Sequence, residues 1–247
     1  MAKYSRIEWT DATWSPVTGC TPISEGCENC YARRMAKRLR GRCGYPTDEP
    51  FKVTLHPERL EEPLKWKKPR RVFVCSMGDL FHEDVPDEFI YEIWDVMVQS
   101  KQHTFLVLTK RPDRMKSFIE KVMCNRMDYA LTFGGTPEGK KARKWAQKPV
   151  QNVWLGVTAE NQEQADKRIP ILLQIPATVR FVSVEPMLGP IRLQRDWLMC
   201  PGGAEYGHGM SLTRVHAGGC CDRHHAYIGS YVAPNQGLTI GKQKSNG

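Results

Sequence analysis

The chain has 247 residues, of which 40% are hydrophobic and 26% are charged. This length and apolar content suit one large or two small globular domains, and they exclude disorder over most of the chain. No stretch approaches the roughly eighteen consecutive apolar residues that a membrane span needs, and charges interrupt the first ten positions, where a signal peptide would be apolar. We therefore expect a soluble, cytoplasmic protein with no membrane partner.

The formal net charge of +9 is concentrated in two stretches. Residues 33–71 hold thirteen Lys and Arg against five Asp and Glu, and residues 110–148 hold eleven against four. A basic surface of this kind suits a polyanion such as DNA or RNA, and it also suits a well-solvated helix face. Charge alone leaves both interpretations open.

Short apolar or β-branched runs alternate with longer amphipathic runs along the chain. The predicted strands are 14–18, 52–55, 72–75, 104–108, 153–157, 179–184 and, with a weaker pattern, 197–199. The predicted helices are 29–39, 57–64, 87–99, 113–123 and 162–175. Repeated βα units predict an α/β fold with parallel strands, and continuous apolar strands are typical of a barrel or a doubly wound sheet.

Two stretches depart from this alternation. Residues 124–149 carry glycines, prolines and a basic run, so we interpret them as a basic insertion before the next strand. Residues 201–247 contain ten of the twenty glycines and no sustained helical or strand period, which is typical of a loop or of disorder. The sequence thus predicts one folded unit over 1–200 and an atypical Gly/His-rich tail over 201–247.

Polar residues follow five of the predicted strands. In a parallel α/β fold the carboxyl ends of the strands share one edge of the sheet, where ligands and catalysis gather. Each residue alone suits a helix cap or a surface group, as we expect for Asp113 and Asn161, but the joint pattern favours a functional site. The residues are Cys20, Thr21, Ser76, Asp79, His82, Glu83, Asp84, Thr109, Lys110, Arg111, Thr158, Glu160, Asn161, Glu185 and Pro186.

Three of the nine cysteines form the strongest single signal. Cys20, Cys27 and Cys30 follow the spacing C-x6-C-x2-C before a predicted helix, a density that favours convergence on one metal centre over three free thiols. A [4Fe-4S] cluster with three protein ligands leaves one iron open to a small molecule, whereas tetrahedral zinc needs a fourth ligand such as Cys43. The cysteines that we expect in the core are Cys75 and Cys124.

Six sequence motifs, two of which contain the three cysteines, are distributed over about residues 5–198. They are IEWTDATWSPVTGC (7–20), GCENCYA (26–32), SMGDLFH (76–82), LTKRP (108–112), WLGVTAEN (154–161) and FVSVEPMLGP (181–190). Together they resemble a family of phage and prophage proteins known for a three-cysteine motif. That family is regarded as similar to radical S-adenosylmethionine (radical SAM) enzymes.

This resemblance implies a fold, two cofactors and an activity. The implied fold is a partial, TIM-barrel-like (β/α) barrel of about six parallel strands, with a [4Fe-4S] cluster on Cys20, Cys27 and Cys30 and S-adenosylmethionine on the open iron. An external electron donor would reduce the cluster, and cleavage of S-adenosylmethionine would give a 5′-deoxyadenosyl radical that abstracts hydrogen from a substrate. The basic charge favours a nucleic acid or a nucleotide as that substrate.

Under this interpretation the remaining strand-end residues divide into two groups. The cofactor side, which would hydrogen-bond the ribose or amino group of S-adenosylmethionine, comprises Ser183, Glu185, Glu160 and Asn161. The catalytic, substrate-side candidates are Asp79, His82, Lys110 and Arg111. Among the latter, Lys110 and Arg111 suit a phosphate or carboxylate, and His82 suits a proton donor near neutral pH.

Two alternatives concern metal sites. The first is a zinc-bearing nucleic-acid-binding protein without catalysis, in which Cys43 completes a set of four thiolates and the basic residues 33–42 contact phosphates. The second is a separate metal site in the tail, although its spacing matches no recognised zinc pattern. Its residues are His208, His216, Cys220, Cys221, His224 and His225.

The tail also departs from the resembling family. Members of that family continue after the sixth strand with a Gly-Gly-Glu strand end and then another helix and strand. This chain has WLMCPGGAE at 197–205, followed by Gly/His-rich sequence without that apolar pattern. Our hypothesis is a frameshifted or replaced C-terminus, and translation of the other reading frames after Trp197 tests it.

Overall fold

The computed structural model describes residues 5, 7, 9–132, 148–198, 214–216 and 239–240. It is an α/β protein in which strands and helices alternate. In chain order the elements are β1 (Ala12–Trp14), β2 (Val17–Thr18), α1 (Tyr31–Arg38), β3 (Thr54–Leu55), β4 (Arg71–Val74), α2 (Asp87–Gln99), β5 (Thr104–Thr109), α3 (Pro112–Thr132), β6 (Val153–Thr158), α4 (Gln162–Gln174), β7 (Val179–Ser183), β8 (Ile191–Arg192), α5 (Arg195–Leu198), β9 (Arg214–His216) and β10 (Thr239–Ile240).

A parallel sheet forms the centre of the fold. Its strands lie in the order β1-β4-β5-β6-β7, and β9 adds to β7 at the far edge. Two small antiparallel pairs, β2 with β3 and β8 with β10, lie outside it. Within the described residues the sheet is open, because the edge strands β1 and β9 do not pair with each other. The predicted α/β class with parallel strands is therefore confirmed.

The two faces of the sheet bury different groups. Val72, Phe105 and Leu155 alternate toward one face and join the apolar core with residues of α2, α3 and α4. On the other face the Trp9 indole lies 4.8 Å from the Phe73 ring on β4 and 6.1 Å from the Phe181 ring on β7. Trp9 thus packs between rings that belong to strands three positions apart in the sheet.

Several predicted elements need correction. Residues 52–55 do not supply a strand of the parallel sheet, because β3 pairs antiparallel with β2. The helix predicted over 57–64 is two short 3-10 segments, Pro57–Arg59 and Pro63–Lys65, because Pro63 has no N–H to continue a helix. The strand predicted over 197–199 is wrong, since Trp197 lies in the helix α5 and packs into the core. An apolar run of three residues is too short for its period to separate helix from strand.

The start of the predicted insertion is also helical. Helix α3 continues to Thr132, so residues 124–132 extend the preceding helix, and residues 133–147 lie outside the described residues. Cys124 is exposed on this extension, so its predicted place in the core is wrong, whereas the buried position of Cys75 is confirmed. No helix in the described part of the chain is both long and apolar enough to cross a membrane.

Candidate functional site

A cavity of about 410 Å³ opens at the carboxyl ends of the parallel strands. Its wall includes Thr109, Thr158 and Ser183, which end β5, β6 and β7. The three cysteines of the C-x6-C-x2-C motif and five other predicted site residues meet there. The residues concerned are Cys20, Cys27, Cys30, Asp79, Lys110, Arg111, Ser183 and Glu185. The expected gathering of polar groups at one edge of the sheet is therefore present.

Close packing holds the cysteine loop against the sheet. The Gly19 N–H donates to the Met77 carbonyl at 2.9 Å, which ties the loop to the segment that follows β4. A Cβ atom on Gly26 would lie 2.9 Å from Lys110 Nζ and 3.0 Å from the Glu160 side chain. A larger residue at position 26 would therefore have to displace the Lys110 amine and shift the Glu160 side chain.

The Cys27 thiol lies at the end of a chain of buried charges. Lys110 Nζ is 3.6 Å from Cys27 Sγ and 3.4 Å from Glu160 Oε1. Glu160 is fully buried, and its Oε2 accepts a 2.8 Å hydrogen bond from Arg168. Burial disfavours the Cys27 thiolate, but hydrogen bonding from the Ile23 backbone and the charge of Lys110 hold the pKa of Cys27 below its ordinary value.

The Cys20 thiol has a different electrostatic environment. Arg111 Nη1 lies 3.3 Å from both Cys20 Sγ and Asp79 Oδ2, and Asp79 accepts a 2.7 Å hydrogen bond from the Thr109 hydroxyl. Burial, and then the neighbouring Asp79 carboxylate, raise the pKa of Cys20 to about 11 despite Arg111. Cys20 is therefore a thiol at neutral pH, and it donates to the Thr21 carbonyl at 3.3 Å.

His82 lies behind the cysteine loop. Its Nε2 is 2.8 Å from Thr21 Oγ1, and its Nδ1 accepts the Asp84 N–H at 3.1 Å. Burial and then the charge of Arg111 lower the pKa of His82, so the ring is neutral at pH 7. In this arrangement His82 anchors Thr21 beside Cys20. Its predicted role as a proton donor stays a prediction.

Two predicted cofactor-side residues lie away from the cavity wall. Glu160 lies beneath the cysteine loop with Lys110, and Asn161 accepts a 3.0 Å hydrogen bond from the Gln164 N–H at the start of α4. The predicted capping role of Asn161 is confirmed. The same prediction for Asp113 is wrong, because Asp113 lies inside the first turn of α3.

Ser183 has an unsatisfied hydroxyl group in this cavity. Its side chain is fully buried at the end of β7, and its Oγ has no hydrogen-bond partner among the residues that the structure describes. A buried polar group without a partner costs about 1–3 kcal/mol, so a polar ligand atom in the cavity would remove that cost. Glu185, which also lines the cavity, follows two residues later.

One known protein family matches most of the chain. A model of the DUF5131 family, described as proteins of unknown function, matches residues 4–215. The chain belongs to the DUF5131 family. No curated protein and no solved structure matches it. Family membership thus spans the cysteine loop and strands β1 to β7 without naming an activity.

The three cysteines of the C-x6-C-x2-C motif lie near one another in this DUF5131 chain, but the described side chains do not form a metal coordination shell. Among the described residues, no group of three or more His, Cys, Asp or Glu side chains is arranged to hold a metal ion. The Cys20 and Cys27 thiols contact Thr21 O and Ser24 Oγ instead, at 3.3 and 3.7 Å. Metal binding at the three cysteines therefore requires these thiols to exchange their partners.

The residues of the alternative metal sites lie elsewhere. Cys43 is exposed and is not part of the cavity wall, so a four-thiolate zinc site would need it to move. His216 lies on β9. The other residues predicted for a tail site, all outside the described part of the chain, are His208, Cys220, Cys221, His224 and His225.

Sequence reasoning missed two side chains that support the site. Ser24, within the cysteine loop, contacts Cys27, and nothing in its local pattern distinguishes it from an ordinary loop serine. Arg168 pairs with Glu160 and occupies the apolar stripe of α4 beside Ala165 and Ile169. An arginine at a core position of an amphipathic helix is a signal for a buried partner, and here it points to a buried acid.

Proposed function

We propose that this protein is a radical SAM-like iron–sulfur enzyme, with a [4Fe-4S] cluster on Cys20, Cys27 and Cys30 and S-adenosylmethionine in the adjoining cavity. The observation that carries the proposal is that all three cysteines line one cavity at the carboxyl ends of parallel strands. That edge is where ligands bind in parallel α/β folds. The packing of Trp9 between rings on β4 and β7 further supports a partial (β/α) barrel as the finer description of the sheet.

The charges around the cysteines suit thiolate ligands. Metal binding requires deprotonated thiols, and deprotonation is costly in a buried site unless a cation is near. Lys110 lies 3.6 Å from Cys27 Sγ, and Arg111 lies 3.3 Å from Cys20 Sγ. We therefore propose that Lys110 and Arg111 favour the thiolates, although at Cys20 burial and Asp79 outweigh Arg111 and raise the pKa to about 11, so a bound metal would have to supply the remaining stabilisation. The substrate phosphate or carboxylate that the sequence suggests for these two cations stays a prediction.

The cavity also offers groups for the second cofactor. The Ser183 hydroxyl is buried and has no partner within the described part of the chain, and Glu185 lies on the same wall. A ribose hydroxyl or an amino group is a suitable partner for each. Ser183 and Glu185 would therefore hold S-adenosylmethionine, whereas Glu160 would act indirectly, by fixing the position of Lys110 through a 3.4 Å contact.

The bound cofactors would supply the difficult chemistry, namely electron transfer to S-adenosylmethionine and hydrogen abstraction by the resulting 5′-deoxyadenosyl radical. The protein's own residues would orient and enclose the reactants. Trp9 and Phe73 cover part of the cavity wall with aromatic surface, so that part of the space next to the cysteines is apolar. Asp79 fixes Arg111 beside Cys20.

Cleavage of S-adenosylmethionine tests this proposal. The full chain is reconstituted anaerobically with iron and sulfide, then incubated with S-adenosylmethionine and dithionite, and methionine and 5′-deoxyadenosine are measured. We expect both products from the wild type, none from Cys27→Ala, and an increased KM for S-adenosylmethionine in Ser183→Ala. The control variant Cys124→Ala, whose thiol is exposed on α3, keeps wild-type cleavage. A reconstituted protein that carries the cluster and yields neither product contradicts the proposal.

A further inference from the structure

Helix α1 carries a dense basic face. Residues 29–47 contain six Lys and Arg and no Asp or Glu. Arg34, Lys37 and Arg38 are exposed and follow i, i+3, i+4 spacing, so they share the side of α1 opposite its two buried alanines. Two further exposed arginines, Arg40 and Arg42, continue this surface beyond the helix end.

These cations have no acidic partners in the part of the chain that the structure describes. None of the six has a carboxylate within salt-bridge distance there. By contrast, the cations on the first turns of α3 are paired, as Arg114 and Lys121 are with Asp87. The helix dipole favours cations in the last turn, but it does not account for those in the first turn or beyond the helix end.

The basic face adjoins the opening of the cavity. Cys30, Tyr31 and Ala32, where α1 begins, all line the cavity. Tyr31 is 53% exposed, and Ile23, on the same wall, is 44% exposed. Tyr31 precedes Arg34 by three residues, so the two lie on the same side of the helix. An exposed aromatic ring thus stands between a row of cations and the cysteines.

We propose that the exposed face of α1 binds the sugar–phosphate backbone of a single-stranded nucleic acid, and that Tyr31 stacks on a base at the cavity opening. Cationic grooves that follow the backbone, combined with aromatic stacking, are the means by which proteins bind single strands. A base paired in a duplex is not free to enter a cavity, which favours the single strand. The inference names the substrate class of the site proposed above and rests on that proposal, but binding is measured without cofactors or turnover.

Fluorescence anisotropy with a labelled oligothymidylate tests the basic face in the full chain. If five or six cations contact phosphates, the logarithm of the association constant falls with the logarithm of salt concentration with a slope of about −4. Each phosphate contact raises the association constant about fivefold at 0.1 M salt. The triple variant Arg34→Gln/Lys37→Gln/Arg38→Gln should therefore bind about 100-fold more weakly, with a salt slope that is smaller in magnitude by about 2. Circular dichroism checks that each variant is folded.

The chain offers a matched control at the opposite edge of the sheet. Lys67, Lys68 and Lys101 are exposed and precede the amino ends of β4 and β5. Their replacement by Gln makes the same change in net charge, and we expect less than a threefold effect on binding. Equal losses in the two triple variants, or a wild-type slope near zero, would overturn the proposal. Binding to anionic lipid vesicles without binding to the oligonucleotide would also overturn it.

Substitutions at Tyr31 distinguish the contribution of base stacking from that of charge. Tyr31→Ala removes the ring, and we expect binding to weaken by between about five- and 150-fold with an unchanged salt slope, whereas Tyr31→Phe binds as the wild type does. Unchanged affinity in Tyr31→Ala, or equally tight binding of a duplex, refutes the stacked single strand. The binding assay needs no iron–sulfur cluster. A negative result in it would therefore refute the nucleic-acid proposal without bearing on the cleavage of S-adenosylmethionine.

Discussion

Removal of the Glu160 carboxylate should destabilise the fold more than any surface substitution. Glu160 is fully buried, 2.8 Å from Arg168 Nη1 and 3.4 Å from Lys110 Nζ, and Arg168 is only 5% exposed. Glu160→Ala leaves both cations without their acid, and breaking a buried pair in this way costs about 3–5 kcal/mol. For a chain of this size the melting temperature should fall by about 6–20 °C.

Thermal unfolding at pH 7, followed by circular dichroism, measures this loss. Glu163→Ala is the matched control, because Glu163 lies three residues after Glu160, in the first turn of α4, and pairs with Lys167 on the surface, where both side chains are about two-thirds exposed. We expect the control to shift the midpoint by no more than about 2 °C. A similar shift for both variants would refute the buried network that positions Lys110 beside Cys27.

Three other substitutions and modifications test separate parts of the structure. Gly156→Ala puts a methyl group 2.6 Å from the Phe181 ring, so urea unfolding should show a loss of about 1–3 kcal/mol that Phe181→Leu partly restores. In cluster-free protein, iodoacetamide should alkylate Cys27 before Cys20, as measured by peptide mass spectrometry, because burial raises the pKa of Cys20 to about 11. Asp87→Asn should lower the melting temperature by about 2 °C at pH 7, and this effect should shrink as the pH falls below 3.8. Hydrogen bonds from its two cationic partners on α3 hold the pKa of Asp87 below 3.8, so its contribution is present above that pH and lost as the pH falls through the lowered pKa.

Each of these expectations has a contradicting result. Full stability of Gly156→Ala would mean that the two strands do not approach as closely as described. Faster alkylation of Cys20 would reverse the electrostatic difference between the thiols. A stability loss in Asp87→Asn that does not shrink as the pH falls below 3.8 would assign the effect to helix capping or packing instead of charge.

The apolar strands and their polar ends could be predicted from the sequence because both depend on local pattern. The run at 104–108 is almost continuously apolar, and it forms β5, the middle strand of the five that follow one another from β1 to β7. Residues 52–55 also contain β-branched and apolar residues, yet β3 pairs antiparallel with β2 outside this sheet. Strand propensity indicates that a segment is extended, but the partner depends on tertiary packing that no local pattern encodes.

The site was predictable as a set of residues, but the roles within the set were not. Lys110 and Arg111 follow β5 side by side, and their sequence gives no sign that one contacts Cys27 and the other Cys20. The sequence likewise gives no sign that the two ring nitrogens of His82 contact Thr21 and the Asp84 backbone. Such assignments depend on distances between residues 60 to 90 positions apart in the chain.

The iron and sulfide content of reconstituted cysteine variants tests the central claim most directly. After anaerobic reconstitution we expect the wild type and Cys124→Ala to be brown and to hold about four iron and four sulfide per chain. The variants Cys20→Ala, Cys27→Ala and Cys30→Ala should each lose the cluster. A colourless wild type that binds a single zinc and no sulfide, and that releases it on Cys43→Ala, would contradict the account.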